Sequence, residues 1–136
     1  MGAAVEWSDD FLLGIDAIDR QHQRIFELLL RLEKSITEKE SWNAQRFHLA
    51  DLSEFLKFHL SVEESVLEIL GYEELDMHKR GHSKLTDKML SLEQDLKNSE
   101  ANDALLSFFR DWFVHHVLVE DKTYAEYVKS RSALVH

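Results

Sequence analysis

Apolar positions recur in steps of three and four through four separate stretches of the chain, the spacing of amphipathic helices. In the first stretch, Ile18, His22, Ile25, Phe26, Leu29, Leu32 and Ile36 fall on one face, which predicts a helix over about 17–38. Asp16 is its expected N-cap. A second helix over about 43–70 carries Leu49, Leu52, Phe55, Leu56, His59, Glu63, Val66, Leu67 and Leu70, with Gly71 at the expected C-terminal cap. A third over about 75–97 carries Leu75, His78, His82, Leu85, Met89, Leu92 and Leu96. A fourth over about 102–130 carries Leu105, Phe108, Phe109, Trp112, Phe113, His116 and Val119, extended by Tyr124, Tyr127 and Val128. Connections this short favour antiparallel neighbours. The expected fold is all-α, an antiparallel up-down-up-down four-helix bundle preceded by an extended arm over residues 1–16. Trp7, Phe11, Leu12, Leu13 and Ile15 make that arm apolar enough to lie on the bundle.

Composition narrows the picture. The chain has 136 residues and no proline, which suits one domain of long uninterrupted helices. Its formal net charge of −10, without a basic block, argues against nucleic acid or anionic membrane as a partner. No apolar run reaches membrane-spanning length, and the N-terminus MGAAVEWSDD lacks the basic start and apolar centre of a signal peptide. The expectation is a soluble, cytoplasmic protein. With no cysteine, thiolate zinc sites and iron–sulfur clusters are excluded, and any metal here must use nitrogen and oxygen donors.

Such donors interrupt the apolar stripes. His22 lies in the first, His59 and Glu63 in the second, His78 and His82 in the third, and His116 and Asp121 in the fourth. Residues four apart differ by about 40° around a helix, so His59 projects with Glu63 and His78 with His82. An ionised carboxylate on a core face is costly unless it is paired or bound to metal. A lone core histidine is ordinarily a hydrogen-bonded core residue. Seven polar donors converging from four helices are best satisfied by cations, and they exceed one ion's capacity. Iron, zinc, copper and manganese all suit this donor set. A ferritin-type site would need Glu-x-x-His motifs, and no Glu here has a His three residues later. The site is histidine-rich, which disfavours very high oxidation states and points to mild oxygen chemistry.

The ordered series Asp19-x-Gln21-His22, His59-x-x-x-Glu63, His78-x-x-x-His82 and His116-x-x-x-x-Asp121 resembles hemerythrin, specifically the bacterial hemerythrins, from Trp7 to about Tyr127. The resemblance implies a single hemerythrin-like domain across residues 1–136. It implies a cofactor of two Fe ions, a non-haem di-iron centre bridged by an oxo or hydroxo group, that binds dioxygen reversibly. His78, His82 and His116 would hold one iron and His22 and His59 the other. Glu63 and Asp121 would bridge them, and dioxygen would bind the iron that carries two histidines. Family members often have proline after the tyrosine that precedes the third helix; here Glu73 follows Tyr72. His115, beside His116, is assigned to the outer side, and His48 and His136 to the surface.

Ile25, Phe26, Phe55, Leu56, Trp112 and Phe113 lie within one turn of these ligands and are the expected wall of an oxygen pocket, besides being ordinary core positions. Oxygen transport, storage or delivery is the leading reading, with no enzymatic role. A di-iron sensor of oxygen, nitric oxide or redox state is the alternative, and a weak di-iron oxidase or peroxidase the second. Spacing and resemblance conflict at one point. On a regular helix Glu120, four residues after His116, would share its face, whereas Asp121 would lie about 140° away. A π-bulge between His116 and Asp121 would reconcile them.

Overall fold

The computed structural model describes residue 12 and residues 14–94, 99–121 and 125–130. Four α-helices follow in order: α1, Asp16–Thr37; α2, Trp42–Ile69; α3, Leu75–Gln94; and α4, Ser99–His115. A π-helical segment, His116–Asp121, continues α4, and residues 125–130 are again helical. There is no strand among the described residues. Helix α1 packs on α2 and α4, and α3 packs on the same two, closing a four-helix bundle. Most of the expected arm (residues 1–11 and 13), the last turn of the third helix (95–97) and residues 122–124 lie outside the described residues.

The turns explain where the helices stop. Gly71, at φ +71°, closes α2 in a Schellman motif: its N–H donates to the Glu68 carbonyl (3.1 Å) and the Tyr72 N–H to the Leu67 carbonyl (2.9 Å). The same motif ends α1, where the Lys39 N–H meets the Ile36 carbonyl (3.1 Å) and the Glu40 N–H the Ser35 carbonyl (3.0 Å), but here Lys39 holds the left-handed position at φ +54°. A β-carbon on Gly71 would touch nothing within 4 Å, so the expense of adding one is conformational alone. Gly71→Ala should therefore lower unfolding stability by about 1 kcal/mol and Lys39→Gly raise it by a comparable or smaller amount. Urea titration of each variant checks both signs.

The N-terminus of α1 differs from expectation. Ile15 is the cap residue, with no side-chain bond, and Asp16 is already helical. Asp19 supplies the carboxylate instead, accepting from the Gly14 N–H at 3.1 Å. Ser41 caps α2 by accepting from the Ala44 N–H at 3.1 Å.

Two apolar clusters fill the interior. The larger includes Leu29, Leu32, Leu52, Leu56, Leu85, Met89, Leu105, Phe109 and Phe113. The smaller joins Ile18 and Ala125, with Ile15 and Val62 packed against them. The predicted ligands fall between the two clusters along the helices. His22 lies between Ile18 and Ile25, Glu63 beyond Leu60 and beside Val62, His82 before Leu85, and Asp121 between Val117 and Ala125. The bundle thus carries one polar layer with apolar packing on both sides.

Candidate metal centre

Each helix brings its donors to that layer by its own register. His22, His59, Glu63, His116 and Asp121 are all buried and present ligand atoms within 4.8 Å of one another. Glu63 also forms a second such group with His78 and His82. The six residues singled out by the stripes and Asp121, singled out by the family motif, therefore meet in one place.

Glu63 is common to both groups, and its two carboxylate oxygens divide between them. Oε1 contacts His59 Nε2 directly, lies 3.1 Å from His116 Nε2 and 4.0 Å from His22 Nε2. Oε2 lies 3.2 Å from His78 Nε2 and 3.8 Å from His82 Nε2. Asp121 Oδ2 sits 2.7 Å from His22 Nε2, 2.9 Å from His116 Nε2 and 3.9 Å from His59 Nε2.

The π-helical segment makes the Asp121 position possible. Widening the turn after His116 brings the fifth residue, rather than the fourth, back to the ligand face, which resolves the conflict between spacing and resemblance. His116 itself is central. Its ring centroid is 5.6 Å from that of His59, 6.0 Å from His22 and 6.1 Å from His82. By donor-atom proximity it groups with His22 and His59, whereas the resemblance pairs it with His78 and His82. Its place on the widened turn, between the two carboxylates, leaves it in reach of either.

Burial without hydrogen bonding marks the layer. His22 Nε2, His82 Nε2 and both Asp121 oxygens are buried with no partner in hydrogen-bonding geometry, although His22 and Asp121 are at contact distance. Buried polar atoms are nearly always paired. These atoms aim at shared space rather than at one another, which is what a metal-binding set requires.

The charges are mutually dependent. Burial pushes the Glu63 carboxyl up, but the charges of His116 and His59 outweigh it and hold the group well below its ordinary 4.5. Burial pushes His22 down, yet the carboxylates of Asp121 and Glu63 beside it outweigh this and raise it above 6.5. His82 is lowered, chiefly by burial and against the pull of Glu63. An ionised Glu63 is thus sustained by the positive charge that faces it.

Two further residues complete the site and were not assigned roles from spacing. Gln21 Oε1 meets His59 Nδ1 at 2.8 Å, and Glu64 Oε1 meets His82 Nδ1 at 3.0 Å. Each contact places the proton on Nδ1 and leaves Nε2 as the ligand atom. Both residues adjoin a predicted ligand in sequence, just off the apolar stripe, so periodicity passes over them. Gln21→Ala and Glu64→Ala should each weaken metal binding by about 10–100-fold, as read by chelator competition.

Of the expected pocket wall, Trp112 stacks on His116 (4.5 Å, 15° between planes) and Phe113 meets His22 edge-on at 6.5 Å. Phe26 packs on Phe113 at 5.9 Å, and Ile25 and Leu56 are buried in the same core. Phe55 is half-buried at the rim, where its ring also meets outward-facing Phe58. His115 is exposed, on the outer side as assigned, and His48 is partly exposed against Phe47. His136 lies outside the described residues. Tyr72 packs edge-on to Tyr127, whose hydroxyl donates to the Leu70 carbonyl at 2.8 Å, so the turn without proline is anchored to the end of the fourth helix.

This arrangement has counterparts of known kind. Residues 13–128 match the model of the hemerythrin HHE cation binding domain. The chain is 31% identical over 126 residues to a bacteriohemerythrin of Clostridium acetobutylicum, a match covering 88% of this chain and 98% of the relative. It is 29% identical to a bacteriohemerythrin of Stenotrophomonas maltophilia, over 94% of this chain and 84% of the relative. Among solved structures, wild-type hemerythrin superposes with a TM-score of 0.81 at 27% identity, covering 91% of this chain and 97% of that one. With the bundle, the histidine-rich layer and a family match spanning most of its length, the chain belongs to the hemerythrin HHE cation-binding family.

Proposed function

We propose that the chain holds two iron ions in the buried layer and binds dioxygen there reversibly, as a carrier or store of oxygen. The observation that carries this reading is Glu63. A single fully buried carboxylate turns one oxygen to His22, His59 and His116 and the other to His78 and His82, the disposition of a bridge between two cations. On this reading Glu63 and Asp121 would be shared, His22 and His59 would hold one iron and His78 and His82 the other, and His116, which lies in reach of both, would join the second as the family resemblance implies.

When bound, the two ferrous ions supply the electrons on which reversible oxygen binding depends. The protein supplies everything else. Two carboxylates offset part of the metal charge, and five neutral imidazoles add none. Gln21 and Glu64 fix the tautomers of His59 and His82. Trp112 and Phe113 hold the rings of His116 and His22, and the core residues Ile25, Phe26 and Leu56 exclude water on that side. Excluding water and protons is what lets oxygen leave as oxygen. With two histidines rather than three, the iron held by His22 and His59 would be the one able to take dioxygen.

Gas exchange tests the proposal. The reduced, iron-loaded protein should be colourless, gain a visible absorption band under oxygen, and lose it on purging through repeated cycles. A band that collapses to the ferric form in the first cycle would replace the carrier with a sensor or a weak oxidase. No band at all would overturn oxygen binding.

A further inference from the structure

The two residues that orient ligand histidines from outside differ in charge. Gln21, on α1 beside His22, reaches across to His59 Nδ1 on α2 at 2.8 Å. Glu64, on α2 beside Glu63, reaches across to His82 Nδ1 on α3 at 3.0 Å. The first partner is a neutral amide and the second a carboxylate. Among the described residues no lysine or arginine pairs with Glu64, so its charge is felt by His82. On the Gln21 side, His22 Nδ1 is buried without a hydrogen-bond partner. The further carboxylate there, Asp19, accepts from the Gly14 N–H at 3.1 Å, and a β-carbon on that glycine would come within 2.8 Å of the Lys129 ammonium, so a cation offsets it. Glu63 and Asp121 would serve both irons and so separate neither.

We propose that Glu64 sets the order in which the two irons change valence, making the iron at His82 the first to become ferric. This rests on the two-iron reading of the site but not on oxygen binding. A carboxylate that accepts from Nδ1–H makes the imidazole a stronger donor through Nε2, which favours ferric over ferrous iron. The Gln21 amide fixes the same tautomer at His59 without adding charge. A charge-assisted bond is roughly twice as strong as a neutral one. The Glu64 side chain is 30% exposed, so water screens part of its effect. The expected difference is about tenfold in the oxidation equilibrium, or about 59 mV for one electron. The iron that His22 and His59 would hold then stays ferrous when the protein loses its first electron.

Redox potentiometry of the iron-loaded protein under nitrogen tests this. Ferricyanide is the one-electron oxidant: each becomes ferrocyanide as one ferrous ion becomes ferric, so two steps should be resolved. Glu64→Gln keeps an acceptor oxygen for His82 Nδ1–H and removes only the charge. It should raise the first potential by about 59 mV and leave the second nearly unchanged. Gln21→Glu should lower the second instead. The double swap, Gln21→Glu with Glu64→Gln, should move the ferric ion to the other iron, read as a changed electron paramagnetic resonance spectrum of the half-oxidised protein. If Glu64 only holds the fold or the tautomer, Glu64→Gln leaves both potentials in place, which overturns the proposal. Equal shifts of both steps, or a double swap with the wild-type spectrum, overturn it as well. One iron per wild-type chain overturns the two-iron reading and this proposal together. Two irons with the expected shifts but no oxygen band would support the valence order while removing the oxygen carrier.

Discussion

Glu63→Ala should lose iron from both positions at once, with metal affinity falling by more than the roughly 100-fold that marks loss of an outer partner. Glu63 is the one residue common to both donor groups, and its removal leaves five imidazoles facing cations with a single carboxylate between them. Loss of His78 or His82 would impair one group; loss of Glu63 impairs both. The bundle should survive, because the larger apolar cluster does not include Glu63. Far-ultraviolet circular dichroism should therefore be near wild type while iron content falls. Glu63→Gln, which keeps the shape and removes the charge, should be nearly as deficient. A Glu63→Ala protein with full iron and reversible oxygenation would remove the bridging role.

The second large effect is expected at the end of the fourth helix. Asp121→Ala should strip the iron or abolish the oxygen band, and Glu120→Ala should leave both intact. The distinction rests on one widened turn. The π-helical segment His116–Asp121 carries Asp121 to 2.7 Å from His22 Nε2 and 2.9 Å from His116 Nε2. Deleting Leu118 would remove the extra residue and make Asp121 the fourth after His116, the position a regular helix places on the same face. That deletion should keep iron that Asp121→Ala loses. Iron analysis of the three variants decides the matter: loss of iron in Glu120→Ala with retention in Asp121→Ala would reverse the assignment.

Much of this architecture is legible in the sequence because burial and periodicity speak together. The stripe from Ile18 to Ile36 predicts α1 and places His22 inside the core, where the structure has it fully buried. The four-residue steps from His59 to Glu63 and from His78 to His82 bring each pair to one face. Spacing alone misleads at Asp121, because a regular helix selects Glu120; only the ordered motif of the family points to the fifth residue. Asp16 is misread as a cap because a helix boundary depends on where the chain leaves its previous path, and that is set at Gly14 and Ile15. Gln21 enters only as part of the family motif, without a role, and Glu64 not at all, because both act through a ligand's far nitrogen, from helix flanks where a polar residue is ordinarily solvated. The position of His116 between the two groups is a tertiary property, produced by packing α4 against the other helices and by its stacking on Trp112.

One buried layer is expected to hold two irons through a shared carboxylate. X-ray absorption at the iron edge of the loaded protein tests it most directly. The spectrum should show two irons per chain, an average of two to three imidazoles per iron, and an iron–iron separation of roughly 3.5–4 Å or slightly less. One iron per chain, or two without an iron–iron signal, would contradict it.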